Sequence, residues 1–181
     1  MFYERWDEDV YRRYMKLFSL DESKTPEALS NGMKIKYLLA LALSHGADLL
    51  ILDEPTSGLD PVSREELLEI FLELRDKGKT ILFSTHITSD LDKSADNILY
   101  IVNGSLQADA PLVDFIDGYR MVTYPPEGPS GADAPMLIGR RRTRDGCTSL
   151  VRAADTDKIS LPVRSVNLEE IMVHLEKGAE Q

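Results

Sequence analysis

Two adjacent carboxylates, Asp53 and Glu54, are the residues of this sequence whose position most clearly suggests a role in binding or catalysis. They follow four large aliphatic residues at 49–52 and precede Pro55, a pattern that predicts a buried parallel strand ending at this point. α/β proteins bind ligands at the carboxyl edge of such strands. One carboxylate at that edge can hold Mg²⁺, directly or through water, while the other polarises an attacking water. Taken alone, the pair is equally well interpreted as a solvated strand end with two ordinary acids.

A histidine lies at the end of a second predicted strand. Residues 80–84 are mostly β-branched or apolar and lead directly into Thr85 and His86. The His86 ring is therefore expected just past a carboxyl end, where it could reach a ligand near Glu54. Without further evidence, a histidine at such a place more often caps or packs than catalyses.

A third candidate is the polar turn Leu29-Ser30-Asn31-Gly32-Met33, which precedes a strongly apolar helix that should be buried and end near Gly46. Ser30 is the predicted N-cap. The unpaired N–H groups and the positive end of the helix dipole then point outward, which favours an anion. The alternative is that Ser30 only caps a core helix and that Gly32 is incidental.

The surrounding elements form two parts. Residues 6–104 alternate helical periods with short aliphatic runs, the pattern of an α/β protein with a parallel sheet. One of these helices is expected to open with a capping box from Ser63 to Glu66 and to close at Gly78. The second part has shorter runs, interrupted by a Pro/Gly-rich stretch that predicts a surface loop. Its predicted elements are strands at 120–124, 136–142 and 148–152 and a capped helix at 167–175.

Four motifs in this order closely resemble the second half of the nucleotide-binding domain of ATP-binding cassette (ABC) transporters. They are the turn at 29–33, the strand and carboxylates at 49–55, Ser57-Gly58-Leu59-Asp60, and Ser84-Thr85-His86. The resemblance covers about residues 6–104. It implies a P-loop NTPase-like parallel sheet flanked by helices, in a partial nucleotide-binding domain over residues 1–118. Residues 119–181 would then be a small α+β extension similar to that of bacterial ABC exporters.

The resemblance also implies roles for individual residues. Ser30, Asn31 and Gly32 belong to the signature loop, which grips the γ-phosphate of ATP on the opposite subunit, and Asp60 is the D-loop aspartate that crosses the dimer interface. The roles at the strand ends are the Mg²⁺-associated Walker B aspartate for Asp53, the general base for Glu54 and the switch histidine for His86. Asn31 and Met33 depart from the usual glycine and glutamine, but the serine and the critical glycine remain.

A further departure is that no G-x-x-x-x-G-K-[ST] sequence occurs in the 181 residues, so the phosphate-cradling loop and its lysine are missing. In the family this loop lies before the segment where the chain begins, which suggests a fragment of a longer ATPase or a truncated gene. The resemblance implies an ATP-hydrolysing subunit of an ABC transporter, of exporter type, with ATP and Mg²⁺ as cofactors, although the isolated chain should be inactive. The alternatives are a degenerate protein that only supplies its signature loop to a partner, and a soluble ABC ATPase of the translation or DNA-repair kind.

Composition limits the remaining classes. The chain has 21 Lys and Arg against 31 Asp and Glu, a formal net charge of −10, which argues against nucleic acid as a partner. No apolar stretch approaches the ~20 residues that span a bilayer, and the acidic opening does not resemble a secretory signal. A cytoplasmic location at the inner face of the membrane is expected. The expected partners are a second nucleotide-binding subunit and a separate transmembrane permease.

Cys147 is the single cysteine, so an internal disulfide is excluded. His45 and His174 are interpreted as structural.

Overall fold

The computed structural model describes residues 6–129 and 131–179. The chain divides into two compact units, Met1–Ser94 and Ala95–Gln181. This division falls before the boundary expected at residue 118, because the hairpin and short helix that follow residue 95 pack with the elements after them. The boundary at 118 comes from the family resemblance and stays a prediction.

The first unit contains four α-helices, one pair of strands and a short 3₁₀ helix at Pro26–Ala28 within the described residues. The α-helices and strands are α1 (Glu8–Leu17), α2 (Asn31–Ser44), β1 (Leu49–Leu52), α3 (Pro61–Asp76), β2 (Thr80–Phe83) and α4 (Thr88–Ser94). β1 and β2 are parallel and in register from Leu49↔Thr80 to Leu52↔Phe83, as the alternating sequence pattern predicts. One core joins α1, α2, α3 and the inner face of this pair, with Leu39, Ala40, Leu50, Leu67 and Phe71 among its buried residues.

Local sequence explains how the two central helices begin. The Ser30 hydroxyl accepts a hydrogen bond from the Met33 N–H at 3.3 Å, so the predicted N-cap of α2 is confirmed. The capping box predicted from Ser63 is wrong, because α3 begins at Pro61 with Asp60 as its N-cap. Proline at the first helical position has the required φ and lacks an N–H that would be unpaired there, which starts the helix earlier than the box alone indicates.

The β1–β2 pair has one covered and one uncovered face. Leu50 is buried in the core, whereas its neighbours Leu49 and Ile51 are 53% and 70% exposed and Leu82 on β2 is 46% exposed. These three side chains occupy the same face, because side chains alternate along a strand and Ile51 pairs with Leu82. Parallel strands are normally covered on both faces. The face formed by Leu49, Ile51 and Leu82 is called the bare face below.

The second unit contains two antiparallel sheets. The hairpin pairs β3 (Asn97–Val102) with β4 (Ser105–Pro111), and α5 (Leu112–Asp117) follows. The other sheet has the order β6-β7-β5-β8, formed by Ile138–Thr143, Gly146–Arg152, Tyr119–Tyr124 and Val163–Arg164, and α6 (Leu168–Ala179) packs on β6 and β7. This small α+β arrangement confirms the three predicted strands and the last helix to within a few residues. No helix in the described ranges is long and apolar enough to cross a membrane.

The packing of α6 on its sheet is centred on His174. This side chain is 1% exposed, with Nδ1 2.7 Å from the Glu170 carbonyl oxygen and Nε2 3.0 Å from the Thr148 hydroxyl. A carbonyl only accepts, so Nδ1 carries the proton and Nε2 accepts from Thr148. Gly139 of β6 lies directly against the His174 backbone. His174 therefore has a structural position, as predicted from sequence.

Candidate functional site

Glu54 and His86 meet beyond the carboxyl ends of β1 and β2. The Glu54 Oε2 atom lies 2.8 Å from the His86 Nδ1 atom. The two atoms are within ion-pair distance. They are not aligned for a hydrogen bond, because Oε2 has no hydrogen-bond partner in the described part of the chain. The His86 side chain is 69% exposed and that of Glu54 is 36% exposed. Both groups can therefore reach a ligand at this sheet edge, as the sequence predicts.

Ser84 connects the two carboxylate residues. Its hydroxyl donates to Asp53 Oδ1 at 2.6 Å and accepts from the Glu54 N–H at 2.9 Å. The parallel register places this serine directly beside Asp53, because the preceding residues Phe83 and Leu52 are paired. Sequence reasoning assigned no role to Ser84. The available signal was a hydroxyl residue one position beyond β2, opposite a carboxylate one position beyond β1.

The backbone at Glu54 is in a conformation that favours glycine. Its φ is +45°, in the left-handed region that few other residues adopt. Two hydrogen bonds hold the turn, since the Glu54 N–H is bound by Ser84 and its carbonyl accepts from the Ser57 N–H at 3.0 Å. Strained backbone held in this way is concentrated at functional sites, where it fixes the direction of a side chain.

The other predicted site residues form a second group at the start of α2. Gly32 is buried, and a Cβ atom at this position would lie 3.3 Å from Leu59 and 3.6 Å from Ser63. The Asn31 amide lies near Gly58, 3.9 Å from the position of a Cβ atom there. The structure thus brings the 30–32 segment against the 58–63 segment. No side-chain hydrogen bond or ion pair within the described residues joins this group to Glu54 and His86.

Asp60, the fourth residue predicted to meet nucleotide, has a local function in this structure. Its carboxylate accepts from the N–H groups of Val62 and Ser63, both at 3.1 Å, and so caps α3. Hydrogen bonding from Ser63 lowers the pKa of this exposed carboxyl, because those donors favour the charged form. The cap accounts for Asp60 structurally, and its predicted place at a dimer interface stays a prediction.

Comparison with known proteins finds similar sequences among ABC transporter ATP-binding proteins. The chain is 38% identical over 96 residues to an uncharacterised ABC transporter ATP-binding protein of Synechocystis, covering 51% of this chain and 27% of that protein. It is 40% identical over 89 residues to the Nod factor export ATP-binding protein I of Neorhizobium galegae, covering 49% of this chain and 26% of that protein. The chain is homologous to ABC transporter ATP-binding proteins. It spans about a quarter of the length of these two relatives.

A solved structure supports the same ABC assignment. The structure described as the ATP-binding subunit of an ABC transporter is 35% identical, with a TM-score of 0.52 over 60% of this chain and 48% of that chain. A family model described as "AAA domain, putative AbiEii toxin, Type IV TA system" matches residues 8–91, which include the motifs at both strand ends. The P-loop NTPase-like fold predicted from the sequence is thereby confirmed.

The chemistry of the donor set fits the Mg²⁺ that this ABC family resemblance implies. The Asp53 carboxylate is exposed and is hydrogen bonded only through Oδ1 in the described residues, which leaves Oδ2 for a ligand. Mg²⁺ takes one or two carboxylates together with substrate phosphate oxygens and water. No group of three or more His, Cys, Asp or Glu side chains poised for a metal occurs in the described ranges. A magnesium ion here would thus depend on phosphate oxygens as well as on Asp53.

Proposed function

We propose that this chain supplies the Walker B, D-loop, switch and signature elements of an ATP-hydrolysing subunit of an ABC transporter. The observation that carries the proposal is the pairing of Glu54 with His86 beside Asp53, at the ends of two adjacent parallel strands. Homology to ABC transporter ATP-binding proteins supports ATP as the substrate. The relative named for Nod factor export supports the exporter type.

In this proposal Glu54 is the general base. Its carboxylate orients a water molecule toward the terminal phosphate of ATP and receives the proton that this water loses. The turn held by Ser84 and Ser57 fixes the direction of the Glu54 side chain before nucleotide arrives. His86 contacts Oε2 of this carboxylate, and in the proposed site its ring restrains Glu54 and meets the γ-phosphate.

Asp53 would hold Mg²⁺ in the complete site. Magnesium supplies charge neutralisation on the phosphate oxygens when it is bound. The Ser84 hydroxyl keeps one Asp53 oxygen occupied, so the carboxylate is oriented with its other oxygen available. Ser84 therefore couples the metal-binding residue to the backbone of the base.

The second group of residues serves a partner subunit. Ser30, Asn31 and Gly32 lie at the N-terminal end of the 14-residue helix α2, whose free N–H groups and dipole favour phosphate. In the proposed dimer this end meets ATP held by the opposite nucleotide-binding subunit, and Asp60 lies at the interface. Closure of the dimer is transmitted to a separate transmembrane permease, with the ATPase at the cytoplasmic face of the membrane.

The test uses a chain that carries a phosphate loop ahead of these 181 residues, with two substitutions that should impair different steps. Glu54→Gln keeps the shape of the side chain but removes the base, so ATP binding and dimer closure should persist while hydrolysis falls by about 100-fold or more. Ser30→Arg places bulk and charge at the end of α2, so ATP should bind to its own phosphate loop without closure. Steady-state hydrolysis and ATP-dependent cross-linking measure the two effects.

Asp53→Asn supplies a matched comparison for Glu54→Gln, because each replaces a carboxylate by its amide. Asp53→Asn should lose the Mg²⁺ dependence of ATP affinity, whereas Glu54→Gln should retain it. Wild-type turnover in Glu54→Gln would contradict the assignment of Glu54 as base and favour His86. ATP-dependent closure in Ser30→Arg equal to wild type would contradict the signature role of α2. A degenerate protein that only serves a partner would show no turnover even with every residue intact.

A further inference from the structure

A cavity of about 260 Å³ lies within the second unit, formed by the hairpin, α5, the start of β5 and α6. Aromatic rings make up much of its wall. Tyr100 and Phe115 have ring centroids 6.1 Å apart, and Phe115 and Tyr119 are 5.6 Å apart in an edge-to-face arrangement. An apolar cavity of about 150 Å³ is large enough to hold a benzene molecule. This cavity therefore has room for one or two rings with a small substituent.

One end of the aromatic wall carries a positive charge. The Arg152 guanidinium lies over the Tyr119 ring, 4.6 Å from its centroid, and also lines the cavity. No carboxylate lies within ion-pair distance of Arg152 in the described residues. A guanidinium presents a planar fork of donors that matches a carboxylate in a bidentate manner. The ring beneath it positions this fork without using its N–H donors.

Two further features make the cavity polar as well as aromatic. Gln107 is the extra residue at a bulge of the hairpin, where the register shifts from Tyr100↔Ala108 to Ile101↔Leu106, and its side chain lines the cavity. β-bulges commonly redirect a side chain in this way next to binding sites. The Tyr100 hydroxyl is buried without a hydrogen-bond partner in the described part of the chain. Buried polar groups without partners are rare, and they occur where a water or ligand is missing.

A carboxylate also acts on the cavity wall, at Tyr100. Glu176 of α6 contributes to raising the pKa of Tyr100, although burial is the larger cause. Arg152 is in contact with Tyr119. An anionic ligand is therefore favoured at the Tyr119 end of the cavity, where its charge meets the guanidinium.

We propose that this cavity binds a small aromatic carboxylate, with its ring against the aromatic wall and its carboxylate on Arg152. The site belongs entirely to the second unit and is independent of the residues assigned to ATP. Ring and charge are both required for recognition. Benzoate and 2-naphthoate are suitable probes, since each has one carboxylate on one or two rings.

Titration calorimetry on the full 181-residue chain tests this site, with acetate and benzyl alcohol as controls for the ring and the charge. Benzoate should bind saturably with a Kd of about 10 mM or tighter, given the binding expected per non-hydrogen atom of a small ligand. Both controls should bind at least about tenfold more weakly, because each lacks one half of the recognition. No saturable binding of either aromatic acid, or equal binding of acetate, would overturn the proposal.

Matched variants assign the binding to the cavity. Arg152→Gln should weaken benzoate binding by about tenfold or more, whereas Arg144→Gln makes the same charge change at an exposed turn and should leave the Kd unchanged. Glu176→Gln should not weaken binding. Leu175→Trp fills the cavity while keeping Arg152, and should also abolish binding. Melting curves confirm that each variant is folded. Wild-type affinity in both Arg152→Gln and Leu175→Trp, or equal losses in Arg152→Gln and Arg144→Gln, would contradict the site.

Discussion

The parallel pair β1–β2 and the antiparallel sheet β6-β7-β5-β8 differ in how completely they are covered. In β7 every residue from Gly146 to Val151 is buried, and α6 packs on that strand and on β6. The β1–β2 pair is buried on one face and exposes Leu49, Ile51 and Leu82 on the other. The antiparallel sheet includes none of the residues proposed to act on ATP, whereas the half-covered pair carries Asp53, Glu54 and His86 at its ends.

The proposed chemistry and the more self-contained core therefore belong to different parts of the chain. An antiparallel sheet closed by a helix can complete its core with local connections, so the second region depends mainly on its own residues. A parallel pair requires cover on both faces and further strands at its edges. We therefore expect the stability of the first unit to depend on what covers the β1–β2 pair, and the stability of the second unit to depend on its own packing.

The largest effect is expected from adding a side chain where the backbones of β6 and α6 are in contact. Gly139 has φ +58°, and a Cβ atom there would lie 1.8 Å from the His174 carbonyl oxygen. Gly139→Ala should destabilise the second region by more than about 4 kcal/mol, since neither backbone can yield. Hydrogen exchange of β7 peptides, compared with α3 peptides, measures the two regions separately.

Gly104→Ala is the matched control for that substitution. Gly104 also has a positive φ, +74°, but nothing lies within 4 Å of a Cβ atom there. Only the backbone strain of about 1–2 kcal/mol should appear. Equal losses in the two variants would show that strain alone, and not the approach of α6, determines the cost at Gly139.

A smaller effect is expected from the bare face. The chain should self-associate through this apolar surface, and the double substitution Ile51→Thr, Leu82→Thr should raise the midpoint concentration of association by about tenfold or more. Val113→Thr, on the exposed side of α5 at 68% exposure, is the control and should change it little. Light scattering after size exclusion measures the oligomer. A monomeric wild-type chain with intact β1 and β2 would argue against exposure of this face in solution.

The smallest effect is a pH dependence confined to the second region. Burial lowers the pKa of His174, and the charge of Arg141 acts in the same direction. The fold therefore favours the neutral ring. The stability that it contributes is complete above the unfolded pKa of about 6.5 and is lost as pH falls through that value toward the folded pKa.

Urea unfolding between pH 7.5 and 5 checks this dependence, with exchange of β7 and α3 peptides as the regional readout. β7 should lose protection at lower pH more steeply than α3. His174→Gln should remove that difference, although it also lowers stability at every pH because the bonds to Thr148 and Glu170 change. A slope that persists in His174→Gln would assign the pH dependence to other groups.

Local patterns were sufficient to predict the elements that carry the candidate site. The strands at β1 and β2, the Ser30 cap and the approach of His86 to Glu54 follow from short runs of residues and from the rule that parallel strands share a carboxyl edge. The roles of these residues came from the family resemblance. No local pattern distinguishes a general base from a solvated acid.

Features that depend on distant partners were not predictable in this way. Asp133 lies in the Pro/Gly-rich stretch predicted as a surface loop, yet it is 1% exposed and accepts from the Ser160 N–H. The Ser84 bridge joins residues 30 or more positions apart, and its role appears only once the register of β1 and β2 is known. The short strand β8 has two residues and, among the described strands, pairs only with β5, which leaves no periodic pattern to detect.

The central proposal is that Asp53, Glu54 and His86 are arranged for ATP hydrolysis but depend on a phosphate loop, which the 181 residues do not contain. ATP turnover by the purified chain tests it most directly, measured beside the same chain carrying Glu54→Gln. The account predicts no saturable hydrolysis in either sample, because Glu54 can orient a water molecule only toward a phosphate that is held in line. Saturable turnover by the wild-type chain that disappears in Glu54→Gln would contradict it.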